Sequence, residues 1–323
     1  MGRSGGDGQA WARVRRVARP VAGAALIGVL LAEVGIDPFL DGLRRTGSAP
    51  LAAALALTAL TTLACAWRWS LVARRLGVDV PVGTAVAACY RSQFLNATLP
   101  GGVLGDAHRA VRHGRDAGHL GRGVRSVVWE RCAGQAVQVS LTLLVLLLLP
   151  SPVRRHAVLL AVLLAVLVVV LAAAVALGPV VGAWPATTPS PLRRTAAELR
   201  HVLLAREVLP GVVVASTVAV LGHTAVFVVA VHAAGVTVPP DRVLPLAGLV
   251  LLGAAVPVNV AGWGPREGVA AWAFAATGAG AEQGVTVAVV YGVMALAATL
   301  PGAALLLGRT HGRRRREAAY SHG

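Results

Sequence analysis

The 323 residues are 56% hydrophobic with a mean hydropathy of +0.70, far above what a soluble domain of this length carries, which excludes a soluble globular protein. A net charge of +16 and a pI near 11.6 would suggest nucleic acid in a soluble chain. Here the arginines crowd between apolar runs, where anionic lipid and orientation rules account for them, so no nucleic-acid partner is expected. All 30 basic residues are arginine, a bias that a G+C-rich genome produces without selection for guanidinium chemistry.

In chain order, Arg13, Arg15, Arg16 and Arg19 precede the first apolar run, and no small-x-small cleavage site follows it, so it reads as an uncleaved first span. Runs at 21–36, 51–67, 124–149, 157–181, 211–234 and 285–307 suit a hydrocarbon core that needs about 20 apolar residues. The expected fold class is an all-α integral membrane protein, a polytopic helical bundle.

Two further stretches, 84–99 and 243–260, fit a simple crossing poorly. The first ends in Pro100, Gly101 and Gly102; the second is interrupted at Pro257 and followed by "NVAGWGPRE". As full spans they would place the arginine-rich loop 105–125 outside, beside a basic N-terminus on the other face, against the positive-inside rule. As re-entrant broken helices, which the bilayer tolerates where protein or water satisfies the turn, they sort the charge: 22 arginines fall in the cytoplasm and five outside. Arg91, Arg131 and Arg266 are left at membrane depth.

The layout of span, span, hairpin, span then occurs twice with opposite orientation, an inverted repeat. Its parts are a basic cytoplasmic N-terminus at 1–20, repeats at 21–149 and 157–307, and a basic cytoplasmic tail at 308–323. Both breaks also carry P-x4-G-x3-R, as Pro100, Gly105, Arg109 and Pro257, Gly262, Arg266.

The expected chemistry follows from those breaks. Asp106 is placed as the N-cap of one half-helix; Gly264 and Pro265 suit N-cap and N1 of the other, with Glu267 in its first turn. Arg109 and Arg266 are expected in first turns, where a cation opposes the helix dipole unless an anion completes the site. Gly101, Gly102, Gly262 and Gly264 would let backbone approach that ligand. The alternatives are that the glycines serve helix packing and that Arg109 snorkels to the interface.

In "VVWERCAGQAVQVS", Glu130 and Arg131 interrupt an apolar run, as a functional pair or a structural ion pair. Arg131, Gln135 and Gln138 make one polar stripe at i, i+4 and i+7. Ser216 and His223 share a face of the fifth span, His223 reading as a hydrogen-bonded packing group, while His232 points elsewhere. Cys65, Cys89 and Cys132 lack C-x-x-C spacing and read as small buried hydrophobes. No metal site or cofactor is expected.

"FLNATLPGGVLGDAHR", "WERCAG" and "PVNVAGWGPREG", in that order along a polytopic chain, resemble the lysylphosphatidylglycerol synthase transmembrane family, the flippase-like domain family, over nearly the whole length. The positions that carry the likeness are Asn96, Pro100, Gly101, Gly102, Gly105, Asp106, Arg109, Glu130, Arg131, Gly262, Trp263, Gly264, Pro265, Arg266 and Glu267. The resemblance implies a multi-pass protein of the cytoplasmic membrane concerned with lipid translocation.

The expected substrate-binding set is these residues with Gln135 and Asn259, around a lipid phosphate. Both termini are expected in the cytoplasm. The expected partners are membrane lipids, an anionic phospholipid or a polyprenyl-linked glycan, with a membrane glycosyltransferase or synthase as a further possible partner. No soluble catalytic domain is expected and enzyme activity is not. The other readings are an accessory subunit of a lipid-modifying enzyme, and an intramembrane transferase using Asp106 or Glu267 as general base.

Overall fold

A computed structural model describes residues 46–99, 102–149, 151, 154, 191–256 and 264–320. The spans expected at 21–36 and 157–181 lie outside them, as do Pro100, Gly101, Pro257, Asn259, Gly262 and Trp263. The described residues form an all-helical bundle in which four helices are long and apolar enough to cross a membrane: α1 (Ser48–Arg75), α4 (Leu120–Leu148), α6 (Leu209–Ala233) and the first part of α9 (Ala281–Tyr320), as far as Leu307. These contain the remaining four expected spans. Between them lie α2 (Val82–Thr98), α3 (Leu104–Asp116), α5 (Pro191–Val202), α7 (Pro240–Ala254) and α8 (Pro265–Ala276).

The distribution of polarity is that of a protein in lipid. Leu60, Leu144, Leu148 and Leu221 of the long helices are exposed, whereas Arg68, Arg109 and Glu130 are buried. Outside water this arrangement is favourable: hydrocarbon solvates the leucines, and charges persist only where protein pairs them.

Each break is an antiparallel helical hairpin. Asn96, Ser92 and Cys89 of α2 meet Gly105, Asp106 and Arg109 of α3 in reverse order. In the second hairpin Gly253 lies against Pro265 and Val269, while Arg242 at the far end donates to the Thr277 carbonyl at 3.0 Å. With 17 and 15 residues, α2 and α7 rise about 25 and 22 Å, short of a core about 30 Å thick. They end at Leu99 and Ala255, and the helix that follows each runs back along it.

Contacts among the helices other than α5 are unchanged when α1 to α4 are exchanged with α6 to α9. α2 packs on α9 as α7 does on α4; α1 packs on α9 as α6 does on α4. The matching long helices α1 and α6 run antiparallel, since Leu71 and Trp67 meet Gly211 while Thr61 meets Gly222. Antiparallel matching elements are what an inverted repeat produces.

The spacing of the matching helices differs from the one the sequence pattern suggests. Ser48 and Leu209, Leu104 and Pro265, and Leu120 and Ala281 are each 161 positions apart, while the shared P-x4-G-x3-R pattern is spaced by 157. Asp106 therefore matches Glu267 and Glu130 matches Tyr291. Arg109 and Arg266 are not equivalent.

At one end of the bundle Arg125 pairs with Glu198 of α5 at 3.0 Å and Arg75 with Glu207 at 2.5 Å, while an Arg122 nitrogen lies beside Gly77. α5 docks there through Leu199 and Val202 against Val72 and Trp129. Arginines expected on one side of the membrane thus share one end of the fold.

Candidate functional site

The site begins with one carboxylate. Glu130 lies ten residues into α4 and is 1% exposed. A carboxylate there survives only fully paired. Its Oε1 accepts from Arg68 Nε at 3.0 Å and from Arg68 Nη2, and its Oε2 accepts from Arg109 Nη2 at 2.8 Å. Arg68 also donates to Ser216 Oγ of α6 at 2.9 Å, tying the first repeat to the second. Arg109 is held through both terminal nitrogens: Nη2 also donates to Asp106 at 3.1 Å, Nη1 to Cys89 Sγ at 3.2 Å, and its carbon sits 4.6 Å from the Trp69 ring centroid, while its buried Nε has no partner among the described residues. Trp69 is fixed in turn by Ser126 and by an edge contact with His113.

Asp106 forms the second node. It accepts from Ser92 Oγ at 2.8 Å, Asn96 Nδ2 at 3.0 Å, Arg109, and Arg131 Nη2 at 2.7 Å. It is not the N-cap. Val103 takes that position and Asp106 is the third helical residue. The helix starts earlier because the side-chain amide oxygen Oδ1 of Asn96, from α2, accepts the Gly105 N–H at 2.8 Å and caps it from outside the segment. Close approach requires glycine there, since a Cβ would fall 2.1 Å from the Ser92 carbonyl oxygen. Arg109, sixth in α3, lies in the second turn rather than the first, so the expected conflict with the helix dipole arises at Arg266 alone.

The second hairpin follows its local signals. Gly264, with φ +133°, is the N-cap and Pro265 the first residue of α8. Glu267 Oε2 accepts the Gly264 N–H at 2.6 Å, and its Oε1 accepts from Arg266 at 2.5 Å. Arg266 lies 5.6 Å from the Tyr291 ring centroid. The Gly105 and Gly264 amides are thus already satisfied by side chains, in contrast to the expectation that the breaks leave them open.

Between the hairpins is a cavity of about 300 Å³, lined by Asn96, Gly102, Arg109, Glu130, Arg131, Pro265 and Arg266 together with Cys65, Cys89, His223 and Tyr291. Asp106 borders it through Arg131, and Gly264 and Glu267 support it through Arg266. Gln135, half-buried on α4, is not in the lining. Arg131 differs from the other arginines: its side chain is 44% exposed and only Nη2 is committed, to Asp106. Arg68 was missed by sequence reasoning, which counted it among the cytoplasmic loop charges. The available signal was its place between Trp67 and Trp69, six residues before the helix-ending pair Arg74 and Arg75.

The model of the family described as the lysylphosphatidylglycerol synthase TM region matches residues 16–302. No curated protein and no solved structure matches the chain.

Removing Glu130 leaves two buried guanidiniums without their shared partner, so Glu130→Ala should cost about 3–5 kcal/mol of stability. Arg131→Ala should melt near wild type, because Asp106 keeps Arg109, Ser92 and Asn96. Thermal unfolding in detergent checks both; equal melting of the two variants would contradict the hierarchy.

Proposed function

The chain belongs to the lysylphosphatidylglycerol synthase TM region family, and from that premise we propose that it moves an anionic phospholipid or lipid-linked glycan across the cytoplasmic membrane, binding the headgroup phosphate between its two hairpins. One observation carries the reading: Arg131 lines the cavity with Nε and Nη1 uncommitted among the described residues. A guanidinium edge suits two phosphate oxygens. Arg109 and Arg266, expected to clamp the phosphate, spend their Nη2 donors on Asp106, Glu130 and Glu267 and act instead as the frame around it.

Charge balance supports the same reading. In the connected network Arg68, Arg109 and Arg131 outnumber Glu130 and Asp106, and Arg91 is buried as well, an excess of positive charge that a phosphodiester offsets. The transferase alternative is less favoured: Asp106 accepts from four donors and Glu267 is taken up by Gly264 and Arg266, which leaves neither poised to accept a substrate proton.

The orientation we propose has both termini in the cytoplasm, supported by the arginines collected at one end. Reporter fusions near Arg3 and after Gly308 should both report cytoplasm; a periplasmic signal from either overturns this orientation.

Fluorescent phosphatidylglycerol in proteoliposomes tests transport. Arg131→Ala should slow its crossing about ten- to a hundredfold, as loss of a charged hydrogen bond predicts. Arg131→Lys should recover only part of the rate. Wild-type rates from Arg131→Ala would contradict the proposal.

A further inference from the structure

Among the described residues three buried side-chain atoms have no hydrogen-bond partner, and two of them, Arg109 Nε and His113 Nε2, lie one turn apart on α3. The third, Glu198 Oε1, is 3.0 Å from Arg125. Arg109 and His113 meet at one indole: the guanidinium carbon is 4.6 Å from the Trp69 ring centroid, and the imidazole approaches the same ring edge-on with centroids 5.2 Å apart. Trp69 is 1% exposed and spends its N–H on Ser126 Oγ at 3.1 Å, so it satisfies neither nitrogen. Cys89, Asp106 and Glu130 take the Arg109 Nη atoms and leave Nε. Neither Trp69 nor His113 lines the cavity between the hairpins, so this is a separate place in the fold.

The two atoms are chemically complementary. A guanidinium Nε can only donate, whereas the Nε2 of a neutral imidazole that carries its proton on Nδ1 accepts. One water satisfies both, accepting from Arg109 and donating to His113, and water is the usual partner of buried polar atoms that protein leaves over. An anion is opposed there, because Asp106 and Glu130 already flank the same guanidinium.

We infer that a buried water beside Trp69 clasps Arg109 Nε to His113 Nε2, and that a proton on His113 breaks the clasp, a pH-sensitive joint behind the Glu130 network. His113 is half-buried near the C-terminal end of α3, where water can deliver a proton. The charged groups that act on its ring are Arg109 and Asp116 of the same helix; α1 presents Trp69, the segment after α1 presents the Val78 backbone, and α4 meets this turn of α3 through Leu120 and Gly123, which carry no charge. Asp116 favours the imidazolium, but it is 72% exposed and 3.8 Å from Arg112, so its pull is screened. Protonation turns the Nε2 acceptor into a donor and sets a second cation one turn from Arg109. The folded chain therefore takes up this proton less readily than the unfolded chain, so the clasp stabilises the fold above the ordinary histidine value of about pH 6.5 and is lost as pH falls below it. Nothing in this joint depends on what the cavity binds.

Thermal unfolding of the purified full chain in detergent, at about pH 7.5 and about pH 5.5, tests it. His113→Phe keeps a ring against Trp69 and removes the acceptor; His113→Gln offers an acceptor that does not titrate. At the higher pH wild type and His113→Gln should melt together, with His113→Phe about 2–4 °C lower. At the lower pH wild type should drop away from His113→Gln and meet His113→Phe. Exchanging chloride for gluconate should leave these differences as they are. If His113→Phe melts at or above wild type at the higher pH, there is no water to lose and the clasp is overturned, since a ring nitrogen with no partner is better replaced by carbon. A gap between wild type and His113→Gln that is the same at both pH values overturns the switch. Differences that follow the chloride concentration overturn water as the occupant in favour of an anion. A high-resolution density map of wild type at the higher pH reads the clasp without any substitution: a water within hydrogen-bond distance of both nitrogens is expected, and a direct contact between the two side chains, or no density between them, overturns it.

Discussion

Burying Glu130 among apolar helices is the constraint on which the remaining arrangement depends. A carboxylate 1% exposed needs cations, and it draws them from two places: Arg68 on α1 and Arg109 on α3. Through Arg68 the pairing extends to Ser216 of the second repeat; through Arg109 it extends to Asp106 and then to Arg131. Each link fixes the next, so Arg131 is held by one nitrogen and open along the rest of its edge. The protein places three guanidiniums at one site by interleaving them with two carboxylates, which offsets a repulsion that lipid would otherwise make severe.

The two halves of the described bundle match in which helices pack together and differ in their charged side chains. Both hairpins turn back inside the bundle and both pack on the closing long helix of the other repeat. Yet the first hairpin is joined to α4 by two ion pairs, Arg109 with Glu130 and Asp106 with Arg131, while in the second Arg266 pairs with its neighbour Glu267 in the first turn of α8. At the matching position Tyr291 stands against Glu130, so a phenol occurs on one side of the cavity where a carboxylate occurs on the other.

Much of this was legible in the sequence because lipid leaves little choice. Four of the expected spans are long helices, and α3 runs back along α2 as α8 does along α7. Gly264, Pro265 and Glu267 took their cap positions because those rules are local. Asp106 did not, because its helix is capped by Asn96 from the preceding helix, a tertiary contact. The first-turn position assigned to Arg109 failed for a related reason: α3 and α8 start 161 positions apart whereas the shared pattern is spaced by 157, and the short pattern concealed that shift in register. Arg68 was hidden because its partner lies 62 residues away. At the end of an apolar run, a buried arginine and an interfacial one look alike until the partner is known.

The central claim is a location: a phospholipid headgroup sits between the hairpins, against Arg131. A phospholipid carrying a photoreactive diazirine next to its phosphate, incorporated into native-like bilayers with the intact protein and mapped by peptide sequencing, reads that location directly. The account predicts adducts on the cavity lining, in Gln93 to Gly102 of the first hairpin and around Ala254 and Pro265 of the second. Labelling confined to the outer face, at Leu60, Leu144 and Leu221, would contradict it.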